Sequence, residues 1–139
     1  MSDDAIDRLL TEQGVGVLSL AADDEPYGLP LSFGYDAPDR VYLLFVGHSE
    51  TGRKVRFAEA ASEASFLVFD VAPDGGWQSA ILRGSLERIT PPEWDAAREA
   101  MADNAYRPDL LVDVDERSDP RVWRLAVEDR SGRSVGVDG

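Results

Sequence analysis

Gly47-His48-Ser49-Glu50-Thr51-Gly52-Arg53-Lys54 is the stretch on which the reading of this chain turns, because it fits two incompatible architectures. Gly47 and Gly52 have the spacing of a Walker A loop, and the stretch follows a predicted strand and precedes a predicted helix. That motif needs lysine directly after the second glycine, then a hydroxyl for magnesium. Here Arg53 intervenes, Lys54 comes one position late and Val55 stands where the hydroxyl is required. The neighbouring strands also read as antiparallel hairpins, not as βαβ units, so a nucleotide-hydrolase architecture is set aside. Phosphate chemistry of another kind stays open. Lys54 is the one lysine and His48 the one histidine, and arginine supplies all other basic side chains. A guanidinium fork beside an ammonium point charge can neutralise a phosphate dianion. The Ser49 and Thr51 hydroxyls and free N–H groups at a helix start would add donors. The competing reading makes Arg53 and Lys54 surface charges on a short helix, paired with Glu50 or Glu59.

Outward from this stretch the pattern alternates between the two periods. Ser2, Asp3 and Asp4 followed by Ile6, Leu9 and Leu10 predict a capped amphipathic helix over residues 1–12. From residue 14 the period changes to two, and strands are predicted to Ala21, from Tyr27 to Tyr35 and from Val41 to Gly47, with Asp- and Pro-rich turns between them. Residues 52–61 form the inserted helix, with Val55, Phe57 and Ala58 turned inward. Ala64–Val71 and Trp77–Thr90 read as a hairpin across Pro73-Asp74-Gly75-Gly76, and together residues 14–90 supply five strands. Pro91-Pro92-Glu93-Trp94 opens a helix over 91–103, since proline is tolerated in the first turn and Glu93 complements the dipole. Asn104–Pro120 is polar and acidic, hence a loop, and residues 121–128 form the last strand. Six strands in meander and hairpin order predict one mainly β domain over 1–139, a six-stranded antiparallel barrel with short helices.

Composition narrows the partners. The chain has 139 residues, 43% of them hydrophobic, enough for one core and too few for two ordinary domains. It contains no cysteine, which excludes disulfides, iron–sulfur clusters and a cysteine nucleophile, and a lone histidine leaves little for a transition metal. A net charge of −13 repels nucleic acid and anionic lipid, so neither is expected as a partner. There is no long apolar run, and the acidic start Met1-Ser2-Asp3-Asp4 is unlike a signal peptide, so a cytoplasmic protein is expected. Acid spread along the whole chain suggests a halophilic source; the plain alternative is a solvated acidic surface with no specific partner.

The order of elements together with Pro30-Leu31-Ser32-Phe33-Gly34-Tyr35-Asp36, Val46–Lys54 and Trp77-Gln78-Ser79-Ala80-Ile81-Leu82-Arg83-Gly84 resembles the pyridoxamine 5′-phosphate oxidase-related flavin-binding proteins over roughly Leu9–Glu128. The resemblance implies a split barrel that binds FMN at the interface of a homodimer. It further implies that Arg53 and Lys54 hold the FMN phosphate, that His48, Ser49 and Thr51 contribute at the phosphate or ribityl chain, and that Pro30, Leu31, Ser32 and Phe33 run along the flavin ring, chiefly through backbone groups. Ser79 matches a polar position that reaches the flavin from the barrel wall. Trp77, Trp123 and Arg124 are further neighbours it offers, with core packing the alternative for Trp77. The Arg-X-His substrate motif of the true pyridoxamine phosphate oxidases is missing, because no histidine follows His48. The expectation is therefore an FMN-dependent oxidoreductase with a small-molecule electron donor and acceptor, in which flavin performs the redox step and His48 binds more than it catalyses. A non-catalytic flavin carrier, or a barrel used only for protein contacts, are the alternatives.

Overall fold

The structure is a computed structural model, and it describes residues 1–22, 24–45, 63–104 and 121–136. The helix expected over 52–61 and the loop expected up to Pro120 lie outside these residues. Among those described, the chain runs α1 (Asp3–Glu12), β1 (Val15–Ala22), β2 (Glu25–Asp36), β3 (Arg40–Phe45), β4 (Glu63–Val71), β5 (Trp77–Ile89), a 3-10 turn (Pro91–Glu93), α2 (Trp94–Asn104) and β6 (Arg121–Val135). The six strands close into an antiparallel barrel in the order β1-β2-β3-β6-β5-β4. Closure removes the unpaired edges that an open sheet would expose. No helix among the described residues is long and apolar enough to cross a membrane.

Period-two alternation decides which side chains fill the barrel. Leu18, Leu20, Phe33, Val41, Leu43, Phe66, Val68, Leu82, Trp123 and Leu125 form its buried core. Phe33 meets Phe66 edge to face, with ring centroids 5.0 Å apart, a geometry that adds to plain area burial. Trp123, offered above as a flavin neighbour, is thus a core residue, 4% exposed; the strand's pleat turns it inward.

Helix α1 begins where Ser2 Oγ accepts a hydrogen bond from Ala5 N at 3.1 Å, a cap worth about 1 kcal/mol. It buries Ala5, Ile6, Leu9 and Leu10. Arg130 of β6 then fastens it: Nη1 donates to Asp7 Oδ1 at 2.7 Å and to Tyr35 Oη at 2.9 Å. Tyr35 Oη donates to Asp7 at 2.5 Å, and Arg130 Nη2 lies 3.2 Å from Asp3 Oδ1. Burial opposes ionisation of Asp7, but the hydrogen bonds from Arg130 and Tyr35 and the charge of Arg130 outweigh it and hold the carboxyl below its ordinary value. Burial first, then the hydrogen bond to Asp7 and its charge, push the Tyr35 phenol well above its usual range.

Helix α2 covers the outer side of β2 and β3 and the adjoining end of β5 and β6. Trp94, Ala97, Ala100 and Met101 pack there on the outward-facing Tyr42, Ile89 and Val122. Gly34 permits the approach, because a Cβ at that position would lie 2.5 Å from the Met101 nitrogen.

The last strand corrects the sequence reading. It continues past residue 128 to Val135, paired with β5 as far as Trp77↔Val135. Between Arg83↔Asp129 and Gly84↔Val127 the register shifts, leaving Glu128 as the extra residue of a bulge. Gly84 lets the bulge close, since a Cβ there would fall 1.9 Å from the Ala126 carbonyl oxygen. Backbone pairing, not apolar alternation, holds this polar half in the sheet.

Candidate functional site

His48, Ser49, Thr51, Arg53 and Lys54 lie outside the described residues, so the site is built from the barrel wall that they adjoin in sequence. On β2, Leu31 and Phe33 turn inward, partly and fully buried against the core. Pro30 and Ser32 face outward. These four residues therefore present backbone and two small side chains to the outside.

Ser79 stands on β5, three strands away from β2 in either direction around the ring, or about 14 Å at the usual strand spacing. It does not touch Pro30–Phe33. It does share their surface. The register Pro30↔Val17, Val17↔Leu67, Leu67↔Ile81 and Ile81↔Ser131 makes one outward row across five strands. A second row holds Ser32↔Val15 on one side and Phe69↔Ser79↔Arg133 on the other, and a third is Val71↔Trp77↔Val135. Phe69 is 52% exposed and Val71 63%, with Val15, Ile81 and Val135 also exposed. This outer side carries no helix among the described residues.

Its electrostatics set it apart. The chain has 27 acidic residues, yet none stands in these three rows, and Arg133 gives the second row a positive charge. Acid reappears one register step away, where Ser19, Ser65, Arg83 and Asp129 align across β1, β4, β5 and β6. There an open trough of about 350 Å³ is lined by residues that include Ser19, Ala21, Pro26, Glu63, Ser65 and Arg83. A smaller hollow of about 110 Å³ beside α2 is bordered by Asp36, Glu99 and Asp103, a poor setting for an anion. No group of metal-ligating side chains large enough to hold an ion occurs among the described residues.

Arg124 is engaged elsewhere. Its Nη2 donates to Glu87 at 2.8 Å, and that bond above all raises its pKa. Trp77 is partly exposed on the apolar rows and remains available to a ligand. Sequence reading missed Phe69 and Ile81, because β4 and β5 are rich in apolar residues on both faces and only the register shows which ones point out, and it missed Arg133 because the second half of β6 lacks apolar alternation.

The likeness to known proteins follows this architecture. An FAD-binding protein from Mesorhizobium loti superposes with a TM-score of 0.77 at 23% identity, over 98% of this chain and 96% of that one. An FAD-binding protein from Mycobacterium smegmatis gives 0.73 at 16% identity, over 99% and 98%. A structure described as a putative 5-nitroimidazole antibiotic resistance protein from Bacteroides thetaiotaomicron gives 0.68 at 17% identity, over 96% and 84%. At such identities the likeness is one of fold. No curated protein matches the sequence. The family model described as pyridoxamine 5′-phosphate oxidase matches residues 2–134, and with nearly the whole chain inside that match, the protein belongs to the pyridoxamine 5′-phosphate oxidase family.

Proposed function

We propose that this chain is a flavin-binding protein that works as a homodimer and uses the flavin for redox chemistry, with Arg53 and Lys54 holding the phosphate of the FMN unit and the bare barrel side holding its ring. The carrying observation is the acid-free apolar surface bordered by Ser32, Ser79 and Arg133. An isoalloxazine is flat and largely apolar with a polar edge, and hydroxyls beside an apolar floor suit it. The flavin-binding relatives of the same fold support the reading. So does the exposed apolar area, because large apolar patches on soluble proteins mark interaction surfaces. A second copy of the chain meeting this face would shield the flavin from water.

A bound flavin supplies hydride or single-electron transfer. The chain's own residues would bind and orient the ring and exclude solvent, and the Arg133 guanidinium would favour negative charge on a ring held beside it. True pyridoxamine phosphate oxidation is not proposed, since no histidine follows His48. The second reading is a flavin carrier without turnover, which calls for the same binding residues. Reoxidation of bound flavin across a panel of donors and acceptors separates the two. The net charge of −13 supports a working environment of concentrated salt, which screens self-repulsion.

The test of the site is an FMN titration of wild type and Arg53→Ala/Lys54→Ala, followed by flavin fluorescence in molar salt. The double substitution is expected to weaken binding by about 2 kcal/mol or more, from the loss of two charge-assisted hydrogen bonds. Unchanged affinity would remove Arg53 and Lys54 from the site.

A further inference from the structure

We propose that the β5–β6 end of the bare side, centred on Arg133, recognises an aromatic monocarboxylate, and that such an acid is the small-molecule partner of the bound flavin. The role rests on the flavin reading above and deepens it by naming a substrate class; the binding itself needs only this chain.

Arg133 is exposed and has no carboxylate partner among the described residues, whereas Arg83, Arg98, Arg124 and Arg130 each face one. Register fixes what surrounds it. Ser79 stands directly opposite on β5, Trp77 and Ile81 lie diagonally across, and Ser131 and Val135 flank it along β6 on the same outward face. Opposite and diagonal neighbours lie within reach of a long side chain. None of the five is acidic, in a chain with 27 acidic residues and a net charge of −13. A cation placed there for solubility would work against its purpose, because in so acidic a chain it lowers the net charge. Set among apolar and hydroxyl groups, the guanidinium is left to an anion from outside the chain.

A guanidinium holds a carboxylate through two parallel N–H···O bonds, a fit that an ammonium lacks. The body of the acid then finds an apolar floor, since Trp77 is partly exposed and Ile81 and Val135 are 36% and 53% exposed. A ring on Trp77 adds aromatic contact to area burial. It also keeps water from the ion pair, which strengthens the pair over one on an open surface. Ser79 and Ser131 offer hydroxyls to one further polar substituent. One guanidinium and two hydroxyls match a single negative charge; a phosphate dianion would stay half neutralised in the negative field of the chain. The floor has room for two molecules. From β2 to β6 it crosses five strands, about 19 Å at the usual spacing, so a flavin ring along β2 leaves the β5–β6 end to the acid.

Trp94 and Trp123 are 3% and 4% exposed, so quenching of tryptophan emission by a ligand on this face reports on Trp77. The full chain is titrated with benzoate and with benzamide, its neutral isostere, and FMN affinity is measured with and without saturating benzoate. Benzoate is expected to bind at least about tenfold more tightly than benzamide, and Arg133→Gln to reduce that preference to less than about twofold. Arg133→Lys should keep part of it, and Trp77→Phe should remove the signal. An unchanged melting temperature is expected of both arginine variants, because the position is exposed. Equal affinity for the two ligands, or a preference that survives Arg133→Gln, would overturn the acid site while FMN binding keeps the flavin reading standing. Benzoate that competes with FMN would overturn the substrate role, since the ring would then occupy Arg133 itself. A dimer lost on Arg133→Gln, with no benzoate binding to wild type, would assign the guanidinium to a carboxylate of the second copy and overturn the proposal. Benzoate preference without any FMN binding would keep the acid site and overturn both the flavin reading and the substrate role.

Discussion

Over β2, β3 and the adjoining part of β6 the outward positions include Gly34, Tyr42 and Val122, and α2 lies on them. Over β1, β4 and β5 they include Val15, Phe69 and Ile81, and no described element covers those. Both sides are apolar; only one is satisfied within the chain. The covered side is a second core, and its free energy belongs to folding. The bare side leaves Val15, Phe69, Val71, Ile81 and Val135 exposed while the rest of the chain carries a large excess of acid. Had that side only to be soluble, acidic residues would serve it as they do elsewhere. Their exclusion from three successive rows is what the proposed occupant of that surface would account for.

The largest loss of stability is expected on the covered side. Trp94 is 3% exposed, so Trp94→Ala should cost about 3–5 kcal/mol in chemical denaturation. A loss under about 1 kcal/mol would mean that α2 contributes little to the fold. Arg130 is next: it joins α1 to β2 and β6, and its side chain is 15% exposed. Arg130→Met should cost about 2 kcal/mol, between the surface and buried ion-pair ranges.

The same cluster sets a pH dependence. Because the Asp7 pKa is lowered in the fold, its stabilisation is fully present above the ordinary carboxylate value and is lost as pH falls through the folded value. The raised Tyr35 pKa acts in the opposite sense, giving stability below the ordinary phenol value that is lost as pH climbs through the folded one. Asp7→Asn should be less stable at neutral pH and show a shallower loss below about pH 4. Parallel curves for the two proteins would show that Asp7 does not carry this dependence.

How much of this was legible in the sequence follows from the same contrast. The strands, their order and both helix starts could be read because Ser2, the proline pair and the Asp-rich turns punctuate them. The second half of β6 could not. Asp129-Arg130-Ser131-Gly132-Arg133-Ser134 has no apolar alternation, since its backbone pairs with β5 while Gly132 lies close to Met1 and Ile6. Pro30, Ser32 and Ser79 entered as candidates through the family's pattern alone. Phe69 and Ile81 were not, because Phe66 and Phe69 look alike in a one-dimensional string, and only register sends one into the core and the other outside.

On the bare side the stability effects shrink and the binding effects grow. Ile81→Asp should change folding stability by no more than about 0.5 kcal/mol, as exposed substitutions usually do, while light scattering shows a shift from dimer to monomer. An unaltered dimer would place the contact between copies elsewhere. The smallest effect is expected of Ser79→Ala, about 1 kcal/mol of flavin affinity for one neutral hydrogen bond, with no change in melting temperature. A matching drop in melting temperature would make Ser79 a structural residue.

The central claim is that one face serves both the second copy and the flavin. FMN titration of Ile81→Asp beside wild type, with the mass of each species measured in the same samples, tests it most directly. The variant is expected to be monomeric and to bind FMN at least about tenfold more weakly, a loss of about 1.4 kcal/mol. A folded monomer that binds FMN as tightly as wild type would contradict it.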